Sequence, residues 1–298
     1  MSTDNDQSRQ GVLYALGAYL MWGIAPVYFK ALHGVPALEI LGHRIFWSFL
    51  FLAALIYFGQ QTPMLKQLMR SKKKLALLLV TSLLIACNWL IFIWAVNANH
   101  MLDASLGYYI NPLFNVLLGM LFLGETLRKL QWVAVLMAAI GVLIQLVMFG
   151  SIPIVAFALA ITFGFYGLLR KKVNIGAQVG LFVETLILVP VAAIYLFLIA
   201  DSATSDFTSN SLSLNLLLFS AGIVTTLPLL CFAGAATRLK LSTLGFFQYI
   251  GPSMMFLLAV LAYGESFTPD KAITFAFIWG ALILFSWDGI KNRKQRVK

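Results

Sequence analysis

Charge is what this sequence has least of. Only 11% of its 298 residues are Asp, Glu, Lys or Arg, against about 25% in a typical soluble domain, while 61% are hydrophobic and the mean hydropathy is +0.89. So much apolar surface exceeds what one soluble core can hide, and lipid is the expected solvent for most of the outside. Acids are scarcer still, eleven in all, and they are scattered mostly singly along the chain. That argues against a membrane-embedded enzyme on a lipid-linked substrate, which needs clustered acids or histidines to bind metal or act as base. Histidine and cysteine number three and two. His33, His43 and His100 have no partner at metal-ligand spacing, and Cys87 and Cys231 both lie in apolar runs, so neither a metal site nor a disulfide is expected. Nucleophile motifs and phosphate-cradling glycine loops are missing too, so no cofactor is expected and ATP-driven transport by this chain alone is not. The spacers are too short for a signalling or docking domain, which argues against a non-transporting receptor or scaffold.

Long apolar runs are what is present. They fall near 11–31, 38–58, 75–97, 103–123, 130–149, 152–170, 178–200, 212–235, 243–263 and 271–290. Each approaches the about 20 residues that an α-helix needs to cross the hydrocarbon layer. Ten such spans use nearly the whole chain, and the first reads as a retained helix, because no small-residue cleavage site separates it from the second. The net charge of +10 suggests nucleic acid only until its location is read. Arg9, the cluster at 66–74, Arg128 and Lys129, the cluster at 170–172, Arg238 and Lys240, and the tail from Lys291 all fall on one side of a ten-span chain. Lys30 and Lys271 fall on the other, and Arg44 lies within a span. The positive-inside bias therefore predicts cytoplasmic N- and C-termini. The expected partners are a small-molecule substrate and the lipid bilayer, not nucleic acid; nothing in the sequence sets an oligomeric state.

The chain also repeats itself. Residues 105–112 read Ser-Leu-Gly-Tyr-Tyr-Ile-Asn-Pro and lead to Leu123-Gly124-Glu125; residues 243–252 read Thr-Leu-Gly-Phe-Phe-Gln-Tyr-Ile-Gly-Pro and lead to Tyr263-Gly264-Glu265. Pro112 and Pro252, and likewise Glu125 and Glu265, stand 140 positions apart. Near the same offset, Trp22-Gly23 through Lys30 parallels Phe163-Gly164 through Lys171. Five spans per half is odd, so the second half enters the membrane upside down. The expected fold class is an all-α membrane protein of ten transmembrane helices built as two inverted five-helix repeats, 1–149 and 150–298. Such repeats let one architecture open alternately to two sides.

A few polar residues within the spans could carry chemistry. Arg44 is costly unless it faces water, a counter-ion or headgroups. Its guanidinium suits a substrate carboxylate; the alternatives are snorkelling to the outer surface or a pair with Glu39 or Glu184. Glu184 lies in the repeat partner of that span, aligned with His43, and either carries a proton during transport or neutralises a basic residue at 170–172. Ser105, Tyr108, Asn111 and Asn115 recur at three- and four-residue steps, giving the fourth span a polar face. Pro112 frees a backbone carbonyl beside it. In the ninth span Gln248, Tyr249 and Pro252 stand at the equivalent level, and two helix-bending prolines at matching depth predict a central cavity, unless they bend helices only for packing. Trp22, Asn88, Trp89, Trp94, Tyr166, Thr225 and Thr226 complete the candidate wall. Tryptophans near span ends are as readily interface anchors.

Trp22-Gly23, the stretch 104–113 entering the fourth span and Leu123-Gly124-Glu125 at its end resemble the EamA branch of the drug/metabolite transporter superfamily. The strings 88–97 and 242–252 are the most specific part of the resemblance, which runs from about Arg9 to Asp288. It implies ten helices, an inner-membrane location and export of small metabolites or drugs through a central cavity by a secondary transporter, not an enzyme.

Overall fold

The computed structural model describes residues 2–97, 101–150, 152–261 and 269–295. His100, Gly264 and Glu265, and with them the second Gly-Glu ending, lie outside the described residues. Those described form helices and no strand: α1 (Ser2–Ala31), α2 (Ala37–Phe58), α3 (Thr62–Met69), α4 (Lys72–Asn97), α5 (Met101–Leu123), α6 (Lys129–Phe149), α7 (Ile154–Val173), α8 (Ala177–Ile194), α9 (Leu212–Arg238), α10 (Leu241–Gln248), α11 (Ile250–Leu261) and α12 (Pro269–Gln295). Ten spans are long and apolar enough to cross a membrane, with α10 and α11 sharing one and α3 lying between two. Helix is the expected answer to such composition, since an apolar run in lipid must satisfy its backbone groups within itself.

Two spans depart from regular helix. α8 ends in a π-helical stretch, Tyr195–Ile199. The ninth span breaks at Tyr249, between α10 and α11. Pro252 has no N–H to give the Gln248 carbonyl, so the chain cannot continue an unbroken α-ladder there. α5, by contrast, runs continuously through Pro112.

The helices pack in a reciprocal pattern. α1 lies against α9 and α11, and α7 against α4 and α5; α2 meets α8 and α9, and α8 meets α2 and α4; α5 pairs with α10, and α6 with α12. The largest core cluster draws on α1 to α5 and α7 to α10, and a second joins α5, α6, α10 and α12. Outward positions such as Leu83, Val147, Leu198 and Ile283 stay exposed and aliphatic, as a lipid-facing surface requires. Because lipid tails are as apolar as leucine, close packing holds such helices together, and small residues mark it. At Gly222 an added Cβ would land 2.5 Å from the Trp47 carbonyl carbon, so α9 and α2 touch almost backbone to backbone. At Gly245 it would land 2.8 Å from the Pro112 carbonyl oxygen, which packs α10 equally close to α5.

Candidate functional site

α2, α4, α7, α8 and α9 enclose a cavity at the centre of the bundle. Its polar wall is Ser48, Trp89, Tyr166, Glu184, Thr185, Thr225 and Thr226; the rest is aliphatic. At about 10 Å³ it has room for one water. The surrounding helices therefore leave no room in it for anything larger.

One end holds a buried charge pair. Glu184, on α8 and 2% exposed, accepts a hydrogen bond from Thr81 Oγ1 at 2.6 Å and one from Tyr166 OH at 3.3 Å. Arg170 Nη1 lies 3.5 Å from its Oε1. Arg170 is equally buried and makes no hydrogen bond among the described residues, so the Glu184 carboxylate is its compensation. Of the two alternatives for Glu184, the structure displays the neutralised basic residue at 170–172.

The other end holds a different arrangement. Arg44, 9% exposed on α2, donates from Nε to Thr225 Oγ1 at 2.9 Å. Its guanidinium carbon lies 4.5 Å from the Trp89 ring centroid and 5.4 Å from that of Phe29, with Tyr28 and Tyr108 within electrostatic range. Neither acid weighed as its partner reaches it. Glu39 accepts from Thr204 Oγ1 at 2.7 Å, and Glu184 serves Arg170. Its side chain instead packs against α9 and the aromatic rings. Beside it, Thr226 Oγ1 is buried at the cavity wall with no hydrogen-bond partner.

The structure thus brings Trp89, Tyr166, Glu184, Thr225 and Thr226 to the cavity, with Arg44 at its edge. Tyr108 is half-exposed and packs edge-on to Phe92. The remaining candidates join helices in this conformer. Asn88 donates to the Leu159 carbonyl and to Thr162 Oγ1, tying α4 to α7. Asn115 donates to Asn111 Oδ1 at 3.1 Å and to Gln248 Oε1 at 2.5 Å, tying α5 to α10. Tyr249 OH donates to the Tyr109 carbonyl, and Trp22 packs among Tyr19, Phe163 and Phe232. Pro112 and Pro252 sit in that same α5–α11 region, away from the cavity wall.

Sequence reading missed three contributors, Thr81, Ser48 and Glu125, and singled out no one residue of 170–172 as the partner of Glu184. Thr81 and Ser48 carry no signal beyond being hydroxyls in apolar runs; Ser48 donates to the Gly222 carbonyl at 3.2 Å. Arg170 was grouped with the loop cations, although it closes the apolar run 152–170. Glu125 was read only as a repeat marker. Its carboxylate accepts from Leu241 N at 2.6 Å, Ser242 N at 2.9 Å and Ser242 Oγ at 2.7 Å, capping α10 and closing the basic end of the bundle. Gly124, at φ +62°, makes the turn that points Glu125 there.

The comparisons agree with this architecture. Residues 9–147 match the EamA-like transporter family. The chain is 68% identical to an uncharacterized transporter of Vibrio cholerae, over 98% of this chain and 96% of that one. It is 61% identical to Protein RarD of Salmonella typhi, over 98% of this chain and all of that one, and 32% identical to the chloramphenicol-sensitive protein RarD of Pseudomonas aeruginosa, over 98% of each. A solved crystal structure shares the fold at TM-score 0.72 and 20% identity, across 93% of this chain and 97% of the other. With ten apolar spans and full-length likeness to RarD proteins, the chain is a multi-pass membrane protein that belongs to the RarD group of the EamA-like transporter family.

Proposed function

We propose that the protein is an inner-membrane secondary transporter that exports small metabolites or drugs by alternating access around the central cavity. The cavity carries this reading: its wall takes residues from both α2 and α4 of the first half and α7, α8 and α9 of the second. The halves, 1–149 and 150–298, are read as an inverted repeat. The reciprocal packing supports this, since α1 against α9 mirrors α7 against α4, and α2 against α9 mirrors α8 against α4. So do two hydrogen bonds: Arg44 of α2 bonds Thr225 of α9, and Glu184 of α8 bonds Thr81 of α4. Rocking the halves would open the cavity to one face by breaking the Glu125 cap, and to the other by separating Glu39 from Thr204 and Tyr28 from the Leu217 carbonyl. The bias of basic residues toward one set of loops supports cytoplasmic termini.

Purified protein in liposomes loaded with a small-molecule cell extract should release particular compounds, read by mass spectrometry, that protein-free liposomes retain. Release equal to the protein-free control would end the transporter reading. A fluorescent-protein fusion at the C-terminus should glow in cells; activity of a periplasmic phosphatase fused there instead would invert the topology.

A further inference from the structure

Arg44 has no anionic partner among the described residues. The guanidinium is buried in the membrane region, yet no carboxylate among the described residues lies within ion-pair distance of it. Its one hydrogen bond to the described residues uses Nε, which leaves both Nη groups for another acceptor. Trp89 and Phe29 hold the plane of the group through their ring faces, which spreads part of the charge without neutralising it. A buried charge left this way is destabilising, and the usual resolution is a partner in the same site. The other buried cation of the cavity region, Arg170, has such a partner in Glu184.

The rest of the wall narrows the ligand further. The one acid on it, Glu184, is already engaged by Arg170, Thr81 and Tyr166, so an ammonium group would find no uncommitted carboxylate there. Most of the remaining surface is aliphatic, from Ile45, Leu52 and Ile85 on one side to Leu181, Leu188 and Leu229 on the other. Thr226 Oγ1 adds one polar group without a partner.

We propose that the substrate is a monocarboxylate with an apolar or aromatic body, its carboxylate received bidentately by the Nη groups of Arg44 and its body lying along the aliphatic wall. This rests on the transporter reading and deepens it. The planar fork of guanidinium matches a planar carboxylate in a way that a lysine ammonium would not. Because the closed cavity holds about one water, entry requires the two halves to move apart around it.

The test is efflux of a cell extract from liposomes holding wild-type protein, Arg44→Gln or Arg44→Lys, with released compounds identified by mass spectrometry and each protein's unfolding temperature measured in detergent. The expected released compounds carry a carboxylate and no ammonium group. Arg44→Gln should slow their release about tenfold or more, and Arg44→Lys by less, since it keeps the charge and loses the fork. The unliganded Arg44→Gln protein should unfold no earlier than wild type, whereas an arginine with a purely structural role would lower that temperature. Should Arg44→Gln not fold, the inference is overturned on that count alone. Release of neutral, cationic or zwitterionic compounds, or carboxylate release that Arg44→Gln leaves intact, overturns the inference while the transporter reading stands. No protein-dependent release removes both.

Discussion

The cavity has two ends, and each solves the problem of a buried arginine differently. At the Arg170 end the charge is matched within the protein: Glu184 lies 3.5 Å away and is itself held by Thr81 and Tyr166. At the Arg44 end the guanidinium has a neutral hydroxyl and two ring faces. Taking an ion out of water costs several kcal/mol after relaxation, and a nearby opposite charge offsets much of that. A matched pair therefore holds a fold together in any conformer that preserves it, whereas an unmatched charge holds free energy that a ligand of opposite sign can release. The contrast separates a residue that anchors helices from one poised to bind.

The largest effect should come from breaking the matched end. Glu184→Ala leaves Arg170 buried and uncompensated, and should destabilise the protein by about 3–5 kcal/mol. The midpoint of thermal unfolding in detergent measures this. Replacing both partners, Arg170→Met with Glu184→Leu, should recover most of the loss, because an apolar pair of similar volume needs no solvation. Failure of the double variant to recover would mean that Glu184 is held for something other than Arg170, proton coupling included. Next in size is Gly222→Ala. The added methyl meets the Trp47 backbone at 2.5 Å, and neither helix can yield by rotating a side chain. Overpacking of this kind costs about 1–3 kcal/mol. It would also push Arg44 from Thr225, so transport should fall further than stability accounts for, and a variant with normal flux would argue against close α2–α9 packing.

How much of this contrast was legible in the sequence depends on the range of the signal. The ten spans are local: each apolar run announces its own helix, and the structure shows them within a few residues of where the runs fall. The break at Tyr249 follows from Pro252 in hindsight, yet Pro112, at the matching repeat position, leaves α5 unbroken. What decides is the packing around each proline, which one sequence does not display. Glu184 and Arg44 were conspicuous because ionisable residues are rare in spans. Their partners were not, since Thr81 and Thr225 are ordinary hydroxyls 103 and 181 positions away. Arg170 was legible as one of three cations that Glu184 could neutralise, but not which of them, for a terminal arginine of an apolar run can turn inward as readily as outward. Asn111, Asn115 and Gln248 have the polarity of cavity residues and bond to one another between α5 and α10 instead.

Smaller changes sharpen the comparison at the hydroxyls. Thr81→Val removes one of the bonds that Glu184 accepts and should cost about 1 kcal/mol, close to the average for polar contacts between membrane helices. Unfolding measured for Thr81→Val alone and in the Glu184→Ala background gives the coupling: the cost of Thr81→Val should vanish in that background, and full additivity would show that the bond contributes nothing.

Thr226 is the subtlest case and discriminates best. Its hydroxyl is buried at the cavity wall and makes no hydrogen bond among the described residues, in a protein where the neighbouring Thr225 is engaged by Arg44. An unsatisfied buried hydroxyl costs roughly 1–3 kcal/mol relative to an apolar group of the same shape. Valine has nearly that shape, so Thr226→Val should leave stability unchanged or raise it by about 1 kcal/mol. If the hydroxyl is kept for a ligand, the same variant should lower flux, so that stability and transport move in opposite directions. A stabilised protein with undiminished flux would make Thr226 a packing residue and shift the polar burden of the site onto Arg44 alone. A destabilised one would mean that the hydroxyl finds its partner within the protein, which would bring that end of the cavity closer to the Arg170 end than the present geometry allows.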